Sequence, residues 1–377
     1  MCAESTPRRP RRARGLSIIE LMVGMVVGLL VSLIAARSAQ FFTATQRQGV
    51  AVGGGMSNAA SALAAIKEDV SLGGMGFFVD GRYRCASLNL SSGAGTPASD
   101  GATFAPVQAT RVGSNDVIDV IYSSDVAAGA WSELNAVSDG SAATINSLLP
   151  VTVGQTPAVL LARKVADATA ANPCLVRTVT ASTAPAAGVR QAMSFANTGV
   201  HNQAVFTSSP PFTERSPVIL LGGLNWNRYQ LNGTNLQLTQ RLTGTTATLL
   251  RNVIGLRVQY GVTLGAGTPA AVEDWVHTTD AGWGSVSTAN IARVRALRIG
   301  VVMRSPQREK PEGSGGTTCE TTKTKPQLFE GADAVTIEPD VADWQCYRYR
   351  SAVIVAPVRN LVQGTSTINW PATNLTP

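Results

Sequence analysis

Side chains able to do covalent or metal chemistry are few in this sequence, and they do not gather. The two histidines, His201 and His277, form no His-Glu-x-x-His and have no partner at zinc-ligand spacing. No G-x-S-x-G elbow and no G-x-x-x-x-G-K-[ST] phosphate loop occurs. The stretches DVIDVIYSSD (116–125) and EDW (273–275) supply carboxylates, but acids on strand edges ordinarily face water. The expectation is a chain that is not an enzyme, with no catalytic residue, no cofactor and no metal ligand, because nothing meets the geometric roles a site requires. Calcium stays open, since loop carboxylates bind it without a fixed motif. The histidines read as surface or loop residues, and the six tryptophans as core or interface anchors.

The remaining reactive groups are five cysteines, Cys2, Cys85, Cys174, Cys319 and Cys346, with no C-x-x-C among them. Removal of the segment before Leu16 takes Cys2 with it and leaves four. An even set fits disulfides in an oxidising compartment such as a bacterial periplasm, against the alternative of four buried free thiols. Four cysteines permit three pairings and the sequence does not choose among them; Cys85–Cys174 with Cys319–Cys346 is the expected set. The second bond would tie down the polar loop EKPEGSGGTTCETTKTKPQ (309–327). Closing a loop of about 28 residues is worth roughly 3 kcal/mol in the chain-entropy model.

One acid stands apart. Glu20 lies near the start of the apolar run GLSIIELMVGMVVGLLVSLIAA (15–36). Residues 16–36 as a helix would span roughly 31 Å, the thickness of a bilayer core. The formal net charge is +7, and the first 14 residues carry five arginines against Glu4, 5 − 1 = +4. The remainder is about +3, too little for a nucleic-acid surface. The basic cluster keeps the N-terminus cytoplasmic and sends the rest of the chain across. A cleaved secretory signal has a shorter apolar core and a small-x-small site, and AARSAQ is a poor one. A twin-arginine signal does not place an acid in its apolar run. A plain anchor leaves Glu20 unexplained, since an acid at mid-bilayer costs roughly 2.5–3.5 kcal/mol, less near a helix end.

The stretch RGLSIIELMVGMVVG closely resembles the prepilin signature of type IV pilins and pseudopilins. The resemblance implies a leader 1–15 cut after Gly15 by a membrane peptidase that N-methylates Leu16, and an assembly role for Glu20. The physical logic agrees. A free amine at Leu16 and a carboxylate at Glu20 are opposite charges near one helix end. In a bundle of staggered helices, a wrong register leaves both charges buried and unpaired at several kcal/mol, so the pair selects register. Glu20 also sits where the helix dipole favours an anion. Many major pilins carry a kinking proline that is missing here between Pro10 and Pro97, which points away from the major subunit.

From residue 37 to 74 the pattern is amphipathic, with Ala59, Leu63, Ile66 and Val70 on one stripe and Gly73-Gly74 as a stop. Gly49 and Gly53–Gly55 predict a break near 49–55, at about 1 kcal/mol per glycine relative to alanine. Asp69, Gly76, Phe77 and Cys85, with Arg359-Asn360 after a final apolar strand, resemble the larger minor pilins of the PilW type. Residues 75–377 read as a β-rich globular domain, its clearest signal the hairpin around Asn232-Gly233. The predicted fold is α+β: a transmembrane helix (16–36), its amphipathic continuation, and an antiparallel β-sheet packed on it with long loops. The resemblance implies a minor pilin that primes type IV pilus assembly in a tip complex, with a part in adhesion or motility. It also implies single-pass residence in the inner membrane with the C-terminal domain in the periplasm. The implied partners are prepilin peptidase, other minor pilins, the major pilin and the assembly machinery, with no nucleic acid. A large J-type pseudopilin of type II secretion and a membrane-anchored periplasmic adhesin are the alternatives.

Overall fold

Helix α1 (Ile18–Leu72) opens the described chain. The structure, a computed structural model, describes residues 18–79, 82–83, 85–93, 95, 97–125, 127–152, 157–163, 173–183, 190–208, 211–264, 271–286, 288–311 and 318–365. Two compact units divide between Gly54 and Gly55. In the first, Ile18–Ala36 is a 19-residue stretch of mean hydropathy 2.6 with none of its surface buried, long and apolar enough to cross a membrane. The break expected near 49–55 is absent, because α1 is continuous through Gly49 and Gly53–Gly55. Glycine lowers helix propensity without removing the N–H and C=O groups of the i→i−4 ladder, and an existing helix propagates far more easily than it nucleates.

In the second unit the expected stripe is the buried face of α1. Ala59, Leu63, Ile66 and Val70 are each at most 2% exposed. Burial of a Leu, Ile or Val side chain is worth about 1.5–3 kcal/mol, which seats the last turns firmly. The helix ends where it meets the sheet: a Cβ on Gly73 would lie 2.2 Å from Val107, and Gly74 takes φ +82°. A side chain at either position would push the helix end off the strands.

Two antiparallel sheets receive this face. One has five strands, β1 (Val107–Val112), β2 (Asn115–Ser123), β3 (Leu224–Asn232), β4 (Asn235–Gln240) and β5 (Thr246–Leu250), in spatial order 5-4-3-2-1. The other has β6 (Val253–Val262), β7 (Asp274–His277), β8 (Val294–Arg304) and β9 (Tyr349–Pro357), in order 7-6-8-9. One continuous core joins α1 to both sheets, with Tyr229, Tyr260, Trp283, Leu297 and Ile299 at its centre. The hairpin between β3 and β4 turns where expected but one residue later. Asn232 pairs with Asn235, so Gly233 (φ +57°) and Thr234 form the loop, with glycine at the first central position as a type II′ turn requires.

Segments before β1 and between β2 and β3 build further sheets. A six-stranded sheet runs Pro97–Thr103, Ser87–Ser91, Cys174–Thr178, Ala158–Leu161, Pro217–Gly222 and Trp131–Glu133, beside a three-stranded one. These have their own buried clusters, one around Phe212 and Leu134 and one around Phe77 and Leu160. The pairing of Cys174–Thr178 with Ser87–Ser91 is parallel, and the other strand pairs described are antiparallel. Cys85 is bonded to Cys174 across 89 residues and Cys319 to Cys346 across 27. The second bond lies in a strap between β8 and β9 that crosses the outer face of the four-stranded sheet. There Leu328 fills the space over Gly300, and Ile337 that over Gly255.

Candidate functional site

The polar centre of the globular unit lies where α1 meets the five-stranded sheet. Asp69, one turn before the helix end, is half-buried. Its carboxylate accepts from the Tyr122 hydroxyl at 2.8 Å, the Asn227 amide at 2.6 Å and the Tyr229 hydroxyl at 2.5 Å. Tyr122 is on β2, and Asn227 and Tyr229 are two apart on β3, so alternation turns both toward the helix. Burial, and then the Asp69 charge, push both tyrosine hydroxyls above their ordinary range. They therefore stay protonated and keep donating. A carboxylate held by three donors is a seat for a helix.

The helix end is held from the other terminus of the domain. β9 leads into helix α2 (Arg359–Thr365), and the Asn360 side chain donates to the carbonyls of Leu72 at 3.0 Å and Gly73 at 3.3 Å. These are carbonyls a helix end leaves without intrahelical partners. Asp69 and Asn360, 291 residues apart in number, thus secure the same two turns. Arg359 is exposed beside them and borders an open groove with Ala64, Lys67, Glu68 and Ser71.

A second carboxylate joins the two sheets. Asp116 is completely buried, against the expectation that the acids of DVIDVIYSSD face water. It accepts from Arg111 Nε at 2.7 Å, Thr278 Oγ1 at 2.6 Å and the main-chain N–H of Val258 at 2.7 Å. Three donors, from both sheets and the turn after β7, converge on it, so it acts as a tie between the sheets. His201 also departs from expectation. It is 9% exposed, with Nδ1 2.6 Å from the Ser91 carbonyl oxygen, and burial lowers its pKa. His277 lies on β7 with its ring against the Gln259 side chain at 3.0 Å. Trp283 belongs to the core, and Trp226 carries the Arg241 guanidinium on its face at 4.0 Å. Among the described residues no three His, Cys, Asp or Glu side chains gather as a metal site.

Of the residues expected at the N-terminal site, Gly15 and Leu16 lie outside the described residues, as does Cys2. Glu20 is in the first turn of α1 and exposed. Tyr122, Asn227 and Tyr229 had no individual role in the sequence reading. The available signal was Asn227-x-Tyr229 within a strand, a spacing that puts both polar groups on one face.

Comparison with known proteins follows the same division. Residues 10–36 match the model of the prokaryotic N-terminal methylation motif, and residues 224–360 that of the type IV pilus-assembly protein W. The second match spans β3 to Asn360 and so takes in Asn227, Tyr229 and Asn360, while residues 37–223, with Asp69 and Tyr122, lie outside both. A search of curated proteins finds no match. Among solved structures, the type IV-like pilin TTHA1219 from Thermus thermophilus aligns at 8% identity and a TM-score of 0.33, covering 81% of this chain and 97% of that one.

Proposed function

We propose that this chain, type IV pilin-like with the PilW region over 224–360 and the methylation motif over 10–36, is a minor pilin that primes pilus assembly in a tip complex. The observation that carries the reading is the coexistence of the two motifs with Glu20 inside a membrane-length apolar helix. On this reading the leader 1–15 is cut after Gly15 and Leu16 is N-methylated by prepilin peptidase. The helix 16–36 holds the chain in the inner membrane, with the domain 75–377 in the periplasm. Assembly machinery then draws the helix out of lipid to join other minor pilins and the major pilin, Glu20 meeting a neighbouring N-terminal amine. Any adhesive or motility contribution would come from the domain. Disulfides at Cys85–Cys174 and Cys319–Cys346 suit that compartment. Such proteins are structural, and the seat of α1 fixes a helix on a sheet.

The decisive experiment is mass spectrometry of the N-terminus in cells with and without prepilin peptidase. A mature chain starting at methylated Leu16, present only with the peptidase, is expected. An intact Met1 terminus, or cleavage near Ala39, in wild-type cells would overturn the reading.

A further inference from the structure

Strand β9 (Tyr349–Pro357) is the edge of the four-stranded sheet, paired on one side only with β8 through nine residue pairs and no register shift. Two flanking bonds set the phase of that ladder: Ser305 N–H donates to Arg348 O at 2.8 Å, and Val358 N–H to Arg295 O at 3.0 Å. Antiparallel pairing alternates. Arg350, Ala352, Ile354 and Ala356 therefore turn their main-chain groups toward β8, and Ser351, Val353 and Val355 turn theirs outward. Among the described residues no strand pairs with this outer side.

Edges left open are ordinarily blunted by lysine, proline, a bulge or brevity. β9 has nine residues, no lysine and no bulge, and its proline stands at the far end. Val353 and Val355 are 46% and 45% exposed on one face. On the other, Ala352 and Ile354 reach the main core only partly covered. Both faces of the sheet therefore stop short of completion at this edge. The ends are cationic. Arg350 is exposed and, among the described residues, makes no ion pair, whereas Glu309 holds the neighbouring Arg348 at 2.9 Å. Exposed Arg359 follows the strand.

From this geometry we infer that the outer edge of β9 receives an extended segment of a neighbouring subunit, added as a fifth strand. The segment is apolar at its centre and carries a carboxylate in register with Arg350. Main-chain bonds to Ser351, Val353 and Val355 supply affinity, and the valines and Arg350 supply selectivity. The edge and its complement stand on geometry; that the strand belongs to another pilus subunit rests on the pilin reading.

The test uses the full chain in detergent micelles and a labelled peptide, Glu-Val-Thr-Val-Thr-Val-Glu, with a lysine-ended counterpart. Anisotropy should show the acidic peptide binding at least tenfold more tightly. Binding should slow amide exchange at Ser351, Val353 and Val355. Val353→Pro removes an outward N–H and none of the bonds to β8, so it should weaken binding at least tenfold without shifting the melting curve. Arg350→Glu leaves the backbone alone and should invert the preference between peptides, which keeps the test decisive if the proline variant misfolds. Binding indifferent to both substitutions overturns the proposal. So does self-association lost in Val353→Pro, which would seat a second copy on the edge. Slow exchange at these amides in the free chain, relieved by truncation after Thr365, would seat the chain's own tail there and overturn it too. Normal processing at Gly15 without peptide binding sinks this proposal alone; binding with Met1 intact sinks only the pilin reading.

Discussion

Asp69→Ala is the substitution that should cost the globular unit most for its size. The carboxylate accepts from Tyr122, Asn227 and Tyr229, and the last two residues are 5% and 1% exposed. Water cannot readily replace the lost acceptor. A buried donor left without a partner costs about 1–3 kcal/mol. The three costs do not simply add, because Asn227 lies 3.5 Å from the Tyr122 hydroxyl and the two can partly satisfy one another once the acid is gone. A net loss of about 3–5 kcal/mol follows, more than a hundredfold in the folding constant. Urea unfolding of the full chain in micelles, followed by tryptophan fluorescence, measures it. Asp69→Asn keeps one acceptor and should lose roughly half as much. A double-mutant cycle with Tyr229→Phe should give a coupling of about 1 kcal/mol or more. If Asp69→Ala costs under about 1 kcal/mol with an unchanged m-value, the carboxylate does not seat the helix and the reasoning fails.

Three further outcomes are expected. Glu20→Ala should insert and be cleaved normally yet fall more than tenfold in the sheared pilus fraction, because an unpaired buried amine at Leu16 costs several kcal/mol; normal piliation and incorporation would make Glu20 an interfacial bystander. Asn360→Ala should cost about 1 kcal/mol and speed amide exchange in the last turn of α1, since Leu72 and Gly73 lose the donor that caps them; unchanged exchange there would assign the clamp elsewhere. Burial pushes the hydroxyl of Tyr349 up to about 12 and those of Tyr122, Tyr229 and Tyr260 upward as well. Folded-state values above the unfolded value near 10 mean a contribution complete below about pH 10 and lost as pH rises through and beyond it. The urea midpoint should therefore be flat from about pH 8 to 9 and fall above 10, with the fall reduced in Tyr229→Phe.

Local patterns on this chain were legible wherever one residue type has one physical use. A 19-residue apolar run with a single acid in its first turn specifies a membrane-length helix whatever follows it. The spacing of Ala59, Leu63, Ile66 and Val70 marks a buried helical face, because a 3.6-residue period has no other common cause. An Asn-Gly flanked by alternating apolar residues marks a hairpin, although strand register moved the turn by one residue. The glycine cluster at 49–55 misled for the opposite reason: propensity is a small cost per residue, and a helix already propagating absorbs it. Non-local pairings were beyond local reading. Asp69 resembles any helix-end acid until Asn227 and Tyr229 arrive from a strand far along the chain. Asp116 looks like a solvated strand acid until Val258 and Thr278 close over it from another sheet. Asn360 becomes a cap only when the last strand returns to the end of the first helix. Burial and hydrogen-bond partnership are properties of the packed chain, so tertiary structure alone decided which of these polar groups hold the fold together. The cleavage proposed at Gly15, by contrast, is read from consecutive residues, because a peptidase would meet them as a linear segment.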